Sequence, residues 1–133
     1  SKMIWGIQWD LTCDFISKKG EQKNIGNSNL WGNYNNSTFE YKTNISGSTS
    51  TKNASSGTRI PSGSTEYSKA NNIYDMAGNV WDWTLEGYGS SYRRYRGGNY
   101  NNNGSNNPAS NRNNNNPNNS NNNIGFRAYF YIK

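Results

Sequence analysis

The apolar residues of this chain fall into a few short patterned stretches separated by long polar ones. Near the start, Trp9, Cys13 and Ile16 recur at i, i+4 and i+7 with Phe15 alongside, which predicts a helix over residues 3–19 with one apolar face. Lys18 and Lys19 suit the negative C-terminal end of that helix, and Gly20 suits a left-handed stop. Residues 21–69 carry no period. Ser, Thr, Asn and Gly dominate there, with Trp31, Tyr34, Phe39 and Tyr41 scattered among them, so the stretch reads as a long loop region pinned by rings, with short strands at most. Residues 80–84, Val-Trp-Asp-Trp-Thr, predict a strand, and residues 93–98 a second one ending in a glycine pair. The C-terminus alternates cleanly. Ile124, Phe126, Ala128, Phe130 and Ile132 share one side, and Gly125, Arg127, Tyr129 and Tyr131 the other, which predicts a strand over residues 124–133 that buries the first set.

Composition sharpens the core assignment. Ile, Leu, Val and Phe supply only 17 of 133 residues, a share typical of chains with too little apolar surface to fold. A net charge of +6 is too small for charge-driven disorder, and Trp, Tyr and Phe together supply 19 residues whose rings each remove a large area from water. The expectation is one folded domain, residues 1–133, with an aromatic core and long loops. Its framework is expected to rest on Trp5, Trp9, Trp81, Trp83, Phe126 and Phe130.

Several chemistries are excluded. The chain has no histidine, which removes Ser-His-Asp catalysis, histidine-ligated zinc and the two-His-one-carboxylate iron site. The lone Cys13 excludes an internal disulfide and a zinc site of four cysteines. No run of 18 apolar residues exists to form a spanning helix, and residues 1–10 show no signal-peptide pattern. Charge is asymmetric. Residues 1–86 hold all eight acids and eight bases, whereas residues 87–133 hold no acid and six bases: Arg93, Arg94, Arg96, Arg112, Arg127 and Lys133. Six dispersed charges without a basic run make a poor nucleic-acid footprint, so no nucleic-acid partner is expected. Arg96, Arg112 and Arg127, with five donors each, are expected to tie irregular backbone; the competing reading is anion binding.

Residues 99–123 are the oddest part: 16 of these 25 positions are asparagine. Asparagine favours neither helix nor strand, and its amide competes for backbone hydrogen bonds, so one reading is a low-complexity linker. Against it, Gly104, Pro108 and Pro117 punctuate the stretch as turns, Arg112 stands alone inside it, and a regular strand follows.

Residues 72–84 read Asn-Ile-Tyr-Asp-Met-Ala-Gly-Asn-Val-Trp-Asp-Trp-Thr, followed by Arg96-Gly97-Gly98, Pro108-Ala109-Ser110-Asn111-Arg112 and Gly125-Phe126-Arg127. Near the start stands Ile7-Gln8-Trp9-Asp10. This ordered set resembles the formylglycine-generating-enzyme (sulfatase-modifying factor) family. The resemblance implies an α+β, C-type-lectin-like fold, in which a small twisted antiparallel sheet packs with helix under long irregular loops. The motifs cover the C-terminal part of a usual family domain, so a fragment or a minimal version is expected. Enzymatic members use two cysteines flanking the stretch between R-G-G and the next arginine. Residues 99–112 have none, so the resemblance implies fold without catalysis. It also implies a possible calcium site, though no required cofactor: the side chain of Asp75, the carbonyls of Gly78 and Val80 and the carboxylate of Asp82, oxygen ligands of the kind calcium takes. The alternative for the same residues is that Asp82 pairs with an arginine and Asp75 caps a turn.

A second resemblance is to the variable proteins of diversity-generating retroelements of phages, bacteria and archaea, which use the same fold. In those systems a template repeat is copied with errors at adenines, and asparagine codons reach most residue types without a stop. An asparagine-rich C-terminal region is what an unmutagenised template encodes. The resemblance implies a ligand-binding display protein, phage-borne or on a prokaryotic cell surface, with a protein or cell-surface ligand as its partner. The expected variable positions are Asn99, Asn101, Asn102, Asn106, Asn107, Asn111, Asn113, Asn115 and Asn118, facing solvent on one surface. Tyr100 is either the aromatic anchor of that surface or packed inward. The rivals are a divergent or inactive family member and a calcium-dependent sugar lectin.

Overall fold

The computed structural model describes residues 1–130. The elements in chain order are β1 (Lys2–Met3), α1 (Gly6–Lys18), β2 (Phe39–Lys42), β3 (Thr49–Lys52), a 3-10 turn (Glu66–Ser68), β4 (Lys69–Ala70), β5 (Ile73–Tyr74), β6 (Trp81–Tyr88), β7 (Tyr92–Arg96), β8 (Arg112–Asn115), β9 (Ile124–Phe126) and β10 (Ala128–Tyr129). One helix against several small sheets is an α+β arrangement. The main sheet is mixed, in the order β8-β7-β6-β9, with β9 parallel to β6 and the other pairs antiparallel.

The helix is shorter than its periodicity predicts. Lys2 and Met3 pair with Tyr129 and Ala128, and the Ile4 N–H donates to the Arg127 carbonyl, so the first residues are drawn into sheet pairing before the helix begins. Gly6 opens the helix because a side chain there would fall on the Glu86 carboxylate. Its buried face is the expected one: Trp9, Cys13 and Ile16. Gly20 stops it in the left-handed region at φ 59°.

The main buried cluster lies between this helix face and the loops, while Trp81 and Tyr95 are buried against each other on the main sheet. Trp9, Cys13 and Ile16 pack with Trp31, Tyr34, Ala70, Met76, Ala77 and Ala109. Aperiodic residues 21–69 therefore supply rings to the core, as expected, and fold the β2–β3 hairpin besides. Lys52, at the end of that hairpin, is fully buried. Its ammonium donates to the Tyr34 carbonyl, to the Ser37 carbonyl at 2.7 Å and to the Asn35 carbonyl at 3.2 Å, closing a backbone turn around a cation. Burial pushes its pKa down to about 8.

The expected C-terminal strand is broken at Arg127, and its facing is reversed. Phe126 and Phe130 are 66% and 78% exposed and Ala128 is exposed, while Gly125, Arg127 and Tyr129 are half-buried. The cause is Arg127: its Nε donates to the buried Asp82 carboxylate at 2.7 Å, and this pair draws the arginine face inward. An alternating pattern shows that a strand has two sides; which side turns inward depends on the partner, and here it is an acid. Of the expected framework rings, Trp9 and Trp81 are buried and Trp83 half-buried, but Trp5 joins Phe126 and Phe130 on the surface. Tyr131, Ile132 and Lys133 lie outside the described residues.

Lys52→Met should lower stability by roughly 2–4 kcal/mol, because it leaves three carbonyls without their donor. Leu30→Ser, at an 85% exposed position, should stay within about 0.5 kcal/mol. Denaturant midpoints of the two variants check the contrast.

Candidate functional site

The motifs scattered along the sequence converge on Trp9. Its indole Nε1 donates to the Ala109 carbonyl at 2.8 Å, and the guanidinium groups of Arg96 and Arg127 lie 5.9 and 5.7 Å from its ring centre. Arg96 is 1% exposed. It donates to the Asp10 carboxylate, to the Asn111 carbonyl at 3.0 Å and to the Ser110 carbonyl at 3.3 Å. Asp10 also accepts from Arg112 at 2.8 Å, and Arg112 reaches Glu86 at 3.4 Å. The space between helix and sheet is thus an ionic layer. Burial lowers the Arg96 pKa and Asp10 opposes that shift. Of the three arginines expected to tie irregular backbone, Arg96 does so, whereas Arg112 and Arg127 bond carboxylates instead. Asp10, the acid shared by two of them, stands in the Ile7-Gln8-Trp9-Asp10 motif, but sequence reading gives it no role.

Gly97 and Gly98 follow Arg96 with φ of 87° and 76°. A side chain on Gly98 would strike the Asn107 carbonyl, so the pair turns the chain beneath the segment it introduces. Asn99 is buried. Its Oδ1 accepts from the Asn101 N–H at 2.8 Å and its own N–H donates to Asn102 Oδ1 at 2.9 Å, so it closes the turn after the glycines and does not face solvent as expected. Tyr100 packs inward and donates to Asn122 Oδ1 at 3.2 Å. Gly104, Pro108 and Ala109 are buried as well. Asn101, Asn106, Asn113 and Asn118 are exposed; Asn102, Asn107, Asn111 and Asn115 are half-buried. Residues Arg112–Asn115 form β8, in register against β7. Cys13, distant in sequence, lies under this segment: its thiol donates to the Ala109 carbonyl at 3.8 Å, and burial pushes its pKa up to about 11.

The Asp75–Asp82 block lines a cleft of about 260 Å³ with Ser62, Val80, Phe126 and Arg127. Asp75 accepts from the Gly63 N–H at 2.8 Å and from the Ser68 hydroxyl at 2.6 Å, and Asp82 is held by Arg127. Burial raises the Asp82 pKa, Arg127 opposes the rise, and Asp75 adds to it. Val80 lines the cleft between the two acids. Gly78 is not among the residues lining the cleft; its N–H donates to the Gly97 carbonyl at 2.8 Å. These contacts use one oxygen of Asp82 and one acceptor site on each oxygen of Asp75, so both carboxylates keep acceptor capacity. Among the described residues, no group of three or more Asp, Glu, Cys or His side chains comes together as a metal set.

A family model for the sulfatase-modifying factor enzyme 1-like domain matches residues 11–130, nearly the whole chain. The chain belongs to this family. No curated protein and no solved structure gives a match. Among the described residues, no helix is long and apolar enough to cross a membrane.

Arg96→Gln should cost roughly 2–4 kcal/mol, because it leaves Asp10 and two carbonyls short of their buried donor. Arg112→Gln, whose side chain is 44% exposed, should cost less than about 1 kcal/mol. Urea unfolding of both variants tests the ranking.

Proposed function

We propose that this chain is a non-enzymatic ligand-binding display protein on a C-type-lectin-like fold. In this reading residues 99–123 are diversified by a retroelement and stand here in an asparagine-rich, template-like version. The observation that carries the reading is the division of labour inside that segment. Buried Asn99, Tyr100, Gly104, Pro108 and Ala109 anchor it, and exposed Asn101, Asn106, Asn113 and Asn118 stand between and after the anchors. A variable surface needs this arrangement, since exposed substitutions shift stability little while a buried amide demands its partners. Asparagine offers little apolar area, so this version is a weak or naive binder of a protein or cell-surface ligand.

Absence of catalysis follows from the chemistry available. The stretch between Arg96-Gly97-Gly98 and Arg112 has no cysteine, and the lone Cys13 is a buried thiol whose raised pKa keeps it protonated at neutral pH. A cysteine-containing sulfatase peptide incubated with the purified protein should stay unmodified; its oxidation would restore the enzymatic reading. Calcium is not required in this proposal, because Arg127 already supplies the positive charge at Asp82. The thermal midpoint should therefore be the same in millimolar calcium and in chelator, and a rise with calcium would restore the calcium site, since a bound ion stabilises by mass action.

Replacing Asn101, Asn106, Asn113 and Asn118 together by Tyr, Asp or Ser should move stability by no more than about 2 kcal/mol in total. Asn99→Tyr alone should cost more than that set. Wholesale unfolding of the four-site variants would sink the display reading. A near-copy repeat differing at adenines in the flanking DNA, beside a reverse transcriptase gene, would establish the diversification.

A further inference from the structure

Trp83 sits between two surface clefts. One, of about 220 Å³, has Met3, Leu85, Arg93 and Pro117 on its walls. The other, of about 260 Å³, has Asn119, Ser120, Asn121, Ile124 and Phe126. Phe126 in turn separates the second cleft from the Asp75–Asp82 cleft. The register explains the row. Trp83 pairs with Phe126 on one side and with Tyr95 on the other, and Tyr95 pairs with Asn113, so these side chains share one face of the main sheet. Tyr95 meets the Trp83 ring edge-on, with centres 5.1 Å apart, and steadies the indole.

The middle cleft has a defined chemistry. Its floor is the half-buried Trp83 and the exposed Phe126, and its wall is the polar run Asn119-Ser120-Asn121. It contains no charged side chain, so neither an anion nor a cation finds a counter-ion there. Hydrogen bonds tie the backbone on either side of the wall. Arg59 donates to the Asn122 carbonyl at 3.0 Å, Tyr100 holds the Asn122 amide, and the Asn118 and Asn119 N–H groups both close onto Asn116. Among the described residues, the Asn119 amide and the Ser120 hydroxyl bond to no protein group. Two aromatic rings and a rim of free amide and hydroxyl groups suit a ligand with an apolar face and a hydroxyl-bearing edge.

We propose that the Trp83–Phe126 groove binds a neutral saccharide, one sugar ring stacking on the aromatic floor while its hydroxyls bond Asn119, Ser120 and Asn121. The site needs no metal; its aromatic residues, Trp83 and Phe126, lie outside residues 99–123, while Asn119, Ser120 and Asn121 belong to that segment as it stands in this chain. Its neighbouring clefts extend the groove, so longer oligosaccharides bind more tightly than monosaccharides.

The intact protein is titrated, in chelator, with neutral gluco-, manno- and N-acetylglucosamine oligosaccharides, following tryptophan emission and heat. At least one series should saturate, with affinity rising with chain length. Phe126→Ser and Asn119→Ala, both at exposed positions, should each weaken binding by roughly tenfold or more while leaving the thermal midpoint near that of the parent. Trp83→Ala should abolish it. Leu30→Ser, at an exposed position outside the groove, should leave it unchanged. No saturation up to roughly 10 mM, binding lost in chelator, preference for charged sugars or apolar peptides, or indifference to Phe126→Ser and Asn119→Ala would each overturn the proposal. Failure of the flanking-DNA test alone would leave it standing.

Discussion

The guanidinium of Arg96 holds three parts of the chain in one place. It lies buried between α1 and the main sheet, joins the Asp10 carboxylate of the helix to the strand that carries it, and draws the Ser110 and Asn111 carbonyls of the asparagine-rich segment onto the same point. Trp9 forms the neighbouring wall, with Arg127 near its ring as well. A cation removed from water is costly unless paired and hydrogen-bonded, and here each contact that offsets the cost also fixes a segment that lacks apolar residues of its own. Removal of this one side chain would weaken the joint between helix, sheet and loops, which the Asp10–Arg112 pair and the Trp9 bond to Ala109 also hold.

Asparagine replaces hydrophobic burial as the source of local order. Its side-chain oxygen accepts backbone N–H groups two residues on at Asn27, Asn99, Asn103 and Asn116, mimicking a turn without a second strand. Asn79 does this at longer range, pairing both ways with Ile60 and receiving the Asn33 amide. Such bonds specify conformation but contribute little apolar area. The few rings therefore concentrate under α1, and the other side of the main sheet keeps Trp83 and Phe126 accessible.

This family member carries one cysteine and no histidine. Its two most buried carboxylates serve contacts within the fold: Asp75 closes a loop through Gly63 and Ser68, and Asp82 neutralises Arg127. Because that neutralisation pulls Arg127 inward, it also turns Phe126 outward into the groove. Phe126 ends β9 and Arg127 follows it directly, so turning one inward turns the other outward.

Much was determined by the sequence itself. The period of Trp9, Cys13 and Ile16 specifies the helix face; the ordered motifs specify the family; the missing histidines and cysteines exclude whole reaction classes. These are local or compositional facts, and they need no partner to be read. Tertiary structure decided the rest. Lys2 and Met3 became strand because Tyr129 and Ala128 were there to pair with them. Asn99 became buried, unlike its neighbours, because the Gly97-Gly98 turn carries it under the segment. The C-terminal strand faced the other way because Asp82, distant in sequence, waited for Arg127. Alternation and composition state what a residue can do; the groups that come to lie opposite it determine which side it shows.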